Sequence, residues 1–401
     1  MKTVLFVGAG RNQRRGILRV RELGARVVAV DKNPDAPGLA DADVGEAVDF
    51  TDVAAVADVG RKHSVDGVLT FAADRAVPVV AAVAEQLGLP GIGSLTAHLA
   101  TNKIAMRREL AERGVPQPQF AAVRSLSEAH GAARTLGFPS VLKPADSAGQ
   151  RGIFLVHSDD ELSAQLALTL AASPSQEAIV EQFHSGREVN TLLVARDEDV
   201  RLITASDRLR PEGAGFGVAL AHVYPSTLYG DVLEEVERVA IAAVRAIGLH
   251  NGIAYPQLLV SGSDVRLIEI AARIPAGQMD EVPRFGVGID LLEIALRQAL
   301  GEPVPDDLVT PFWEQPLAIR FLTAEPGPLP TGLVRSVGPL DKARAFPGIE
   351  RVDAWIEPGE TIRPVQTDGD RRGYLIARGD TNLEALERAD AAAGLIDVLV
   401  A

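Results

Sequence analysis

FPSVLKPADSAGQRGIFLV, residues 138–156, decides how this chain is read. It reads as a strand, a loop of mostly small residues and a second strand. Lys143 lies on the first strand, and Asp146-Ser147-Ala148-Gly149-Gln150-Arg151-Gly152 forms the loop. Small residues let backbone N–H groups close on an anion, while a lysine on the preceding strand supplies a point charge. That is a phosphate-binding design. It is not a P-loop, which needs a glycine loop running directly into Lys and Ser or Thr at a helix start. An ordinary turn would also explain these glycines, so the surroundings have to decide.

Toward the N-terminus, GIGSLTAHLATNKIAMRRELAERGVPQPQF (91–120) contains a helix with Thr101 or Asn102 placed to cap it and Gly114 to end it; the prolines that follow force an extended strand. This marks the entry to a second domain. Before it, TVLFVGAG (3–10), ARVVAVDKNP (25–34) and DGVLTFAAD (66–74) are short apolar strands alternating with amphipathic stretches such as QRRGILRVRELG (13–24). Buried strands separated by helices imply a parallel sheet whose ligand-bearing edge is at the strand C-termini. Gly8, Gly10 and Asp31 imitate a dinucleotide fingerprint, but position 13 is Gln13, not the third glycine. Bending the backbone after the first strand is the simpler role for these glycines.

Toward the C-terminus, EAIVEQFHSGREVNTLLVA (177–195) reads as a hairpin-like strand pair and VLEEVERVAIAAVRAIGLHNG (232–252) as an amphipathic helix with a glycine stop. GIAYPQLLVSGSDVRLIEIAARIPAG (252–277) is a β-hairpin turning at Ser261-Gly262-Ser263-Asp264. After about residue 306, short β-like runs (PLAIRFLTA, RVDAWIEPG, RRGYLIARG) end in a helix at LEALERADAAAGLI. The fold class is α/β followed by α+β, in several domains.

Composition narrows the function. The chain has 401 residues, 47% hydrophobic, enough for two or three domains with their own cores. Its formal net charge of −14 argues against a sequence-independent grip on nucleic acid, which needs clustered Lys and Arg. Zero cysteines exclude disulfides, thiolate zinc sites and cysteine nucleophiles, and the seven histidines show no HExxH spacing. No run approaches the ~20 apolar residues of a membrane span, and the opening MKTVLFVGAG has an apolar stretch too short for a signal peptide. A cytoplasmic protein without membrane or nucleic-acid partners is the expectation.

Lys103, Lys143 with its loop, the Glu181-Gln182-Phe183 run, Gly186-Arg187-Glu188 and Glu269-Ile270-Ala271-Ala272-Arg273 follow one another in an order and spacing that resembles the ATP-grasp superfamily, in particular its carboxylate–amine ligases. The resemblance covers nearly the whole chain and implies an ATP-grasp fold. It divides the chain into an N-terminal parallel-sheet pre-grasp domain (1–100), an ATP-grasp domain (101–305, lobes about 101–180 and 181–305) and a C-terminal β-rich α+β domain (306–401). That last piece is similar to those of biotin carboxylase and related enzymes. The implied activity is ATP-dependent, ADP-forming ligation of a small-molecule carboxylate to an amine through an acyl phosphate. ATP and Mg2+, with Mn2+ as a substitute, are the implied cofactors. A homodimer is common among such enzymes.

Residue by residue, the resemblance gives Lys103 and Lys143 to the ATP phosphates and the loop holding Ser147, Gly149 and Gly152 to a flap over them. Glu181, Gln182 and Phe183 would hold adenine, Glu188 the ribose, and Glu269 with Gln257 the metal. Arg273 would face the acyl phosphate or the substrate carboxylate, with Lys143 as its catalytic companion. Arg208, Arg210, His222, Gly277 and Gln278 are the remaining substrate candidates. Amino-acid ligases of the family carry a stretch similar to SDRLRPEGAGFGVALAHVYPS (206–226), and this makes dipeptide-like or specialised-metabolite substrates the preferred class over purine intermediates.

Departures sit at the metal and amine positions. Gln257 and Ala271 stand where the family has a glutamate and an asparagine, and Ala219 where amino-acid ligases have a glutamate beside the amine. Two other readings follow: a nucleotide-binding regulatory protein with an impaired metal site, and, from the N-terminal glycines and Asp31, a nicotinamide-dependent oxidoreductase.

Overall fold

The computed structural model describes residues 1–210 and 215–401. At the N-terminus, four strands form a sheet in the order Val44–Ala47, Arg26–Asp31, Thr3–Val7, Gly67–Leu69, all parallel. The central strand Thr3–Val7 is buried at every position, because helices cover both faces of a parallel sheet. Its C-terminal edge gathers Gly8, Asp31 and the 70–74 segment. Gly8 turns the chain at φ +91°, a conformation that favours glycine. The Asp31 carboxylate accepts from the Ala9 N–H at 2.9 Å and the Asn33 N–H at 3.0 Å. Asp31 thus holds the turn together.

Two helices, Ser94–Thr101 and Lys103–Glu112, lead out of this layer. They meet at Asn102, whose side chain caps the second by accepting from the Ala105 N–H at 2.9 Å. Thr101 belongs to the first helix, where its hydroxyl donates to the Ala97 carbonyl. A small antiparallel sheet follows in the order Phe120–Val123, Ala178–Gln182, Ser140–Pro144, Phe154–Val156, covered by the helices Leu126–Leu136 and Asp159–Ala171.

The expected strand pair within 177–195 is not a hairpin. Ala178–Gln182 has both edges occupied inside the small sheet, so Arg187–Arg196 cannot pair with it and joins the large sheet instead. The crossing runs through Gly186, where a Cβ would lie 2.6 Å from the Val260 carbonyl oxygen. Only glycine fits there.

The large sheet has eight strands in the order Asp264–Ala271, Asn251–Ser261, Arg187–Arg196, Asp199–Leu209, Ala221–Tyr224, Leu317–Phe321, Gly373–Arg378, Ile349–Ala354. It runs without interruption from the middle of the chain into the C-terminal segment. The Asp231–Ala246 helix packs its apolar stripe against one end of it. The Asn251–Ala271 hairpin closes at the Ser261–Asp264 pair, and its register slips once: Gln257 faces Glu269 while Leu258 faces Leu267, leaving Ile268 as a bulge. Among the described residues, no helix is long and apolar enough to cross a membrane.

Candidate active site

Between the 147–152 loop and one face of the large sheet lies a cavity of about 850 Å³, its open mouth included. Lys103, Ser147 and Gly149 form one wall; Arg208, His222, Gln257, Glu269, Arg273 and Gly277 form the other. Side chains alternate faces along a strand, and cross-strand partners share a face. The pairs Arg208↔His222, Arg208↔Glu188, Gln257↔Asn190 and Gln257↔Glu269 therefore build one polar surface from residues far apart in the chain. Lys143, Gly152, Glu181, Gln182, Phe183, Glu188 and Gln278 do not line this cavity. Gly152 closes the loop against a helix, since a Cβ there would meet the Ala172 side chain at 2.7 Å. A second cavity behind Arg273 is walled mainly by aliphatic chains such as Val68, Val77, Ile92 and Ile274, and suits no phosphate.

The cationic wall is held by carboxylates. Lys103 Nζ donates to the Ser147 carbonyl at 2.9 Å and lies 3.2 Å from Glu269. Lys143 Nζ is 2.7 Å from Glu181, whose other oxygen accepts from Arg107 Nε at 2.8 Å. Burial alone would push the Glu181 carboxyl up, but Arg107 and Lys143 override it and bring its pKa to about 2. Glu269 follows the same logic: burial raises it, and Lys103 and Lys143 bring it below the usual range. The Glu269 side chain still opens onto the cavity, being 37% exposed.

Beside Glu269, the Gln257 amide nitrogen faces Asn190 Oδ1 at 3.4 Å and the Tyr255 hydroxyl at 3.3 Å. Its carbonyl oxygen is the atom left for a cation. Among the described residues, no three His, Cys, Asp or Glu side chains cluster as a metal cage. One carboxylate and one amide oxygen nonetheless fit magnesium, which takes oxygen ligands and normally keeps waters and phosphate oxygens.

The far end of the cavity is basic. Arg208 is buried between Glu188 at 2.5 Å and the Gly217 carbonyl at 2.6 Å, and Arg210 reaches the same Glu188 at 3.1 Å. His222 bonds Asn190 at 2.9 Å and packs edge-on against Phe321. Burial, then Arg208 and Arg371, hold the imidazole well below its ordinary pKa, so it is neutral. Burial raises the Tyr255 hydroxyl to about 12 against the pull of Arg208. Arg273 is clamped by Asp74 of the N-terminal domain, Nη2 to Oδ1 at 2.6 Å. The stretch 206–226 includes residues 211–214, which lie outside the described residues.

Several residues of this site escape the sequence reading, four of them charged. Arg371, from the C-terminal segment, stacks 3.8 Å from the Phe321 ring centroid, donates to the Ala219 carbonyl at 2.9 Å and pairs with Asp368 at 2.8 Å. At the position where an acid was expected, Ala219 thus contributes its backbone oxygen. A Cβ on Gly277 would come 3.9 Å from both Arg371 Nη1 and His222 Nε2, so these two groups converge on that glycine. Asp74 and Arg107 had usable signals. Asp74 ends the third predicted strand, at the ligand-bearing edge, and Arg107 lies one helical turn beyond Lys103. Arg371 and Asp368 had none.

Comparison with known proteins identifies the family. Residues 102–307 match the family described as carbamoyl-phosphate synthase L chain, ATP binding domain; residues 19–91 match the ATP-grasp N-terminal domain and 320–401 the L-amino acid ligase C-terminal domain 2. The formate-dependent phosphoribosylglycinamide formyltransferase of Synechococcus sp. (strain CC9605) is 26% identical over 405 residues, covering 99% of this chain and 97% of its own. Among solved structures, the L-amino acid ligase of Bacillus licheniformis superposes with a TM-score of 0.85 at 19% identity, covering 100% of this chain and 99% of its own. Phosphoribosylglycinamide synthetase of Anaerococcus prevotii gives 0.77 at 20% identity, with 100% of both chains covered. With a single family match running from residue 102 to residue 307, more than half its length, the chain belongs to the ATP-grasp superfamily, in its carboxylate–amine ligase type.

Proposed function

We propose that this protein phosphorylates a carboxylate with ATP and transfers the acyl group to an amine, releasing ADP and phosphate. The observation that carries the reading is the meeting of Lys103, Glu269, Gln257 and Arg273 on one cavity beneath the 147–152 loop. Phosphoryl transfer to a carboxylate needs positioning and charge neutralisation more than covalent help. Lys103 and Lys143 are the cations for the phosphates. Glu181, Gln182 and Phe183 bound the adenine end, and Glu188 the ribose. A magnesium ion on Glu269 and Gln257 would neutralise triphosphate charge. Arg273 orients the carboxylate and offsets the oxyanion that follows amine attack, and the loop keeps water from the acyl phosphate.

Amino-acid-derived substrates fit best. The L-amino acid ligase match covers the segment that delivers Arg371, a cation suited to a substrate carboxylate. His222, kept neutral beside Gly277, is a hydrogen-bond partner for the amine. The full-length relatives named for formate and phosphoribosylglycinamide define the competing pair. The test is ADP release with magnesium over a matrix of carboxylates and amines that includes L-amino acids, formate and phosphoribosylglycinamide, with product masses. AMP and pyrophosphate as products would end the acyl-phosphate reading. ATP binding without ADP release for any pair would favour the regulatory alternative, for which Gln257 and Ala271 speak.

A further inference from the structure

Among the described residues, Arg107 is the bulkiest side chain with no exposed surface, and all of its fork is engaged. Nε donates to Glu181 at 2.8 Å, Nη1 to the Leu267 carbonyl at 2.8 Å and to Gln117 Oε1 at 3.2 Å, and Nη2 to the Ile268 carbonyl at 2.6 Å. Two of these partners are special. Leu267 and Ile268 are the residues at the bulge, the place where the hairpin register slips immediately before Glu269. A bulge leaves its extra residue unpaired in the ladder and re-aims the side chain that follows. Without that slip, strict alternation would send Glu269 to the opposite face of the sheet, away from Lys103 and Gln257. The Leu267 carbonyl is buried, in a place where an unsatisfied acceptor would be costly.

We infer that Arg107 is a positioning residue for the reaction proposed above, fixing the bulge that aims Glu269 into the site while it holds Glu181 against Lys143. A single guanidinium thus ties the metal-side carboxylate of the large sheet to the nucleotide-side acid of the small sheet. Only a planar fork with several donors can serve four acceptors from one position. A lysine at 107 would keep a positive charge facing Glu181 but could not span both carbonyls.

The inference rests on the proposed role of Glu269 and is tested with Arg107→Lys, Glu269→Gln and the double variant. Mn2+ binding in the presence of ADP is followed by electron paramagnetic resonance, and ADP binding without metal by calorimetry. Arg107→Lys is expected to weaken Mn2+ binding about tenfold, as loss of a supporting contact behind a ligand does, while metal-free ADP binding changes less than about twofold. In the Glu269→Gln background it should add nothing, the signature of two residues acting through one path. Unchanged Mn2+ affinity, an additive loss in the double variant, or a parallel loss of metal-free ADP binding would each overturn the inference. If Glu269→Gln itself leaves Mn2+ binding intact, the reading of the metal position fails and takes the inference with it.

Discussion

Arg273 and Asp74 come from different domains and are held 2.6 Å apart at the cavity wall. Arg273 follows the last hairpin strand, and Asp74 stands just beyond the final strand of the N-terminal sheet. The pair therefore sets the position of Arg273, the arginine proposed to face the acyl phosphate, through the packing of one segment on another. Removing the arginine should lower kcat by at least about a hundredfold, the usual loss for a group that stabilises developing charge. Asp74→Asn should cost less, about tenfold, because the guanidinium remains but loses its clamp. Steady-state ADP release measures both, and a further loss from Asp74→Asn once the arginine is gone would show that Asp74 acts on substrate and not through Arg273.

Gln257 presents a neutral oxygen where a carboxylate would bind a divalent cation more tightly, since affinity follows ligand charge. Gln257→Glu is expected to lower the Mg2+ concentration for half-maximal activity about tenfold. A magnesium titration at saturating ATP decides the point; no shift would remove Gln257 from the metal position.

His222 makes stability depend on pH. Its folded pKa lies below the ordinary 6.5, so as pH falls the unfolded chain takes up the proton first. The contribution is complete above about pH 6.5 and is lost as pH drops toward the folded value, with a slope of at most about 1.4 kcal/mol per pH unit. Urea denaturation of wild type and His222→Gln between pH 7.5 and 5 should show the two stabilities converging on the acid side. Parallel curves would mean that His222 takes up its proton alike in the folded and unfolded chains.

Glu181 shields two buried cations from each other. Glu181→Leu strands Lys143 and Arg107 without a counter-charge and should destabilise the fold by about 3–5 kcal/mol. Lys143→Met leaves the Arg107–Glu181 pair intact, so it should cost only about 1 kcal/mol while weakening ATP binding if Lys143 meets the phosphates as proposed. The Glu181 carboxyl, brought from 4.5 to about 2, stabilises the fold fully above pH 4.5 and loses that contribution as pH falls toward 2. Thermal melts of the two variants at pH 7 separate these expectations; a larger loss for Lys143→Met would contradict the arrangement.

What the sequence determined by itself was the local grammar and the order of the motifs. Apolar strands between helices specified a parallel N-terminal sheet. Thr101 or Asn102 was the helix cap by its side-chain chemistry, and Lys143 with its small-residue loop gave the expectation of an anion site. These are properties of neighbours in the chain, fixed by backbone sterics and side-chain periodicity. The tertiary structure decided what depends on distant partners. Residues 177–195 looked like a hairpin because each half is strand-like, yet both edges of Ala178–Gln182 were already taken, and the chain had to change sheets at Gly186. Arg371 entered the site because the large sheet continues into the C-terminal segment and brings Phe321 beneath its guanidinium. The aim of Glu269 depends on a bulge whose carbonyls are held by Arg107, 161 residues away in the chain for Ile268. Desolvation and charge pairing act through space, so no spacing of letters could have shown which cations would meet which acids.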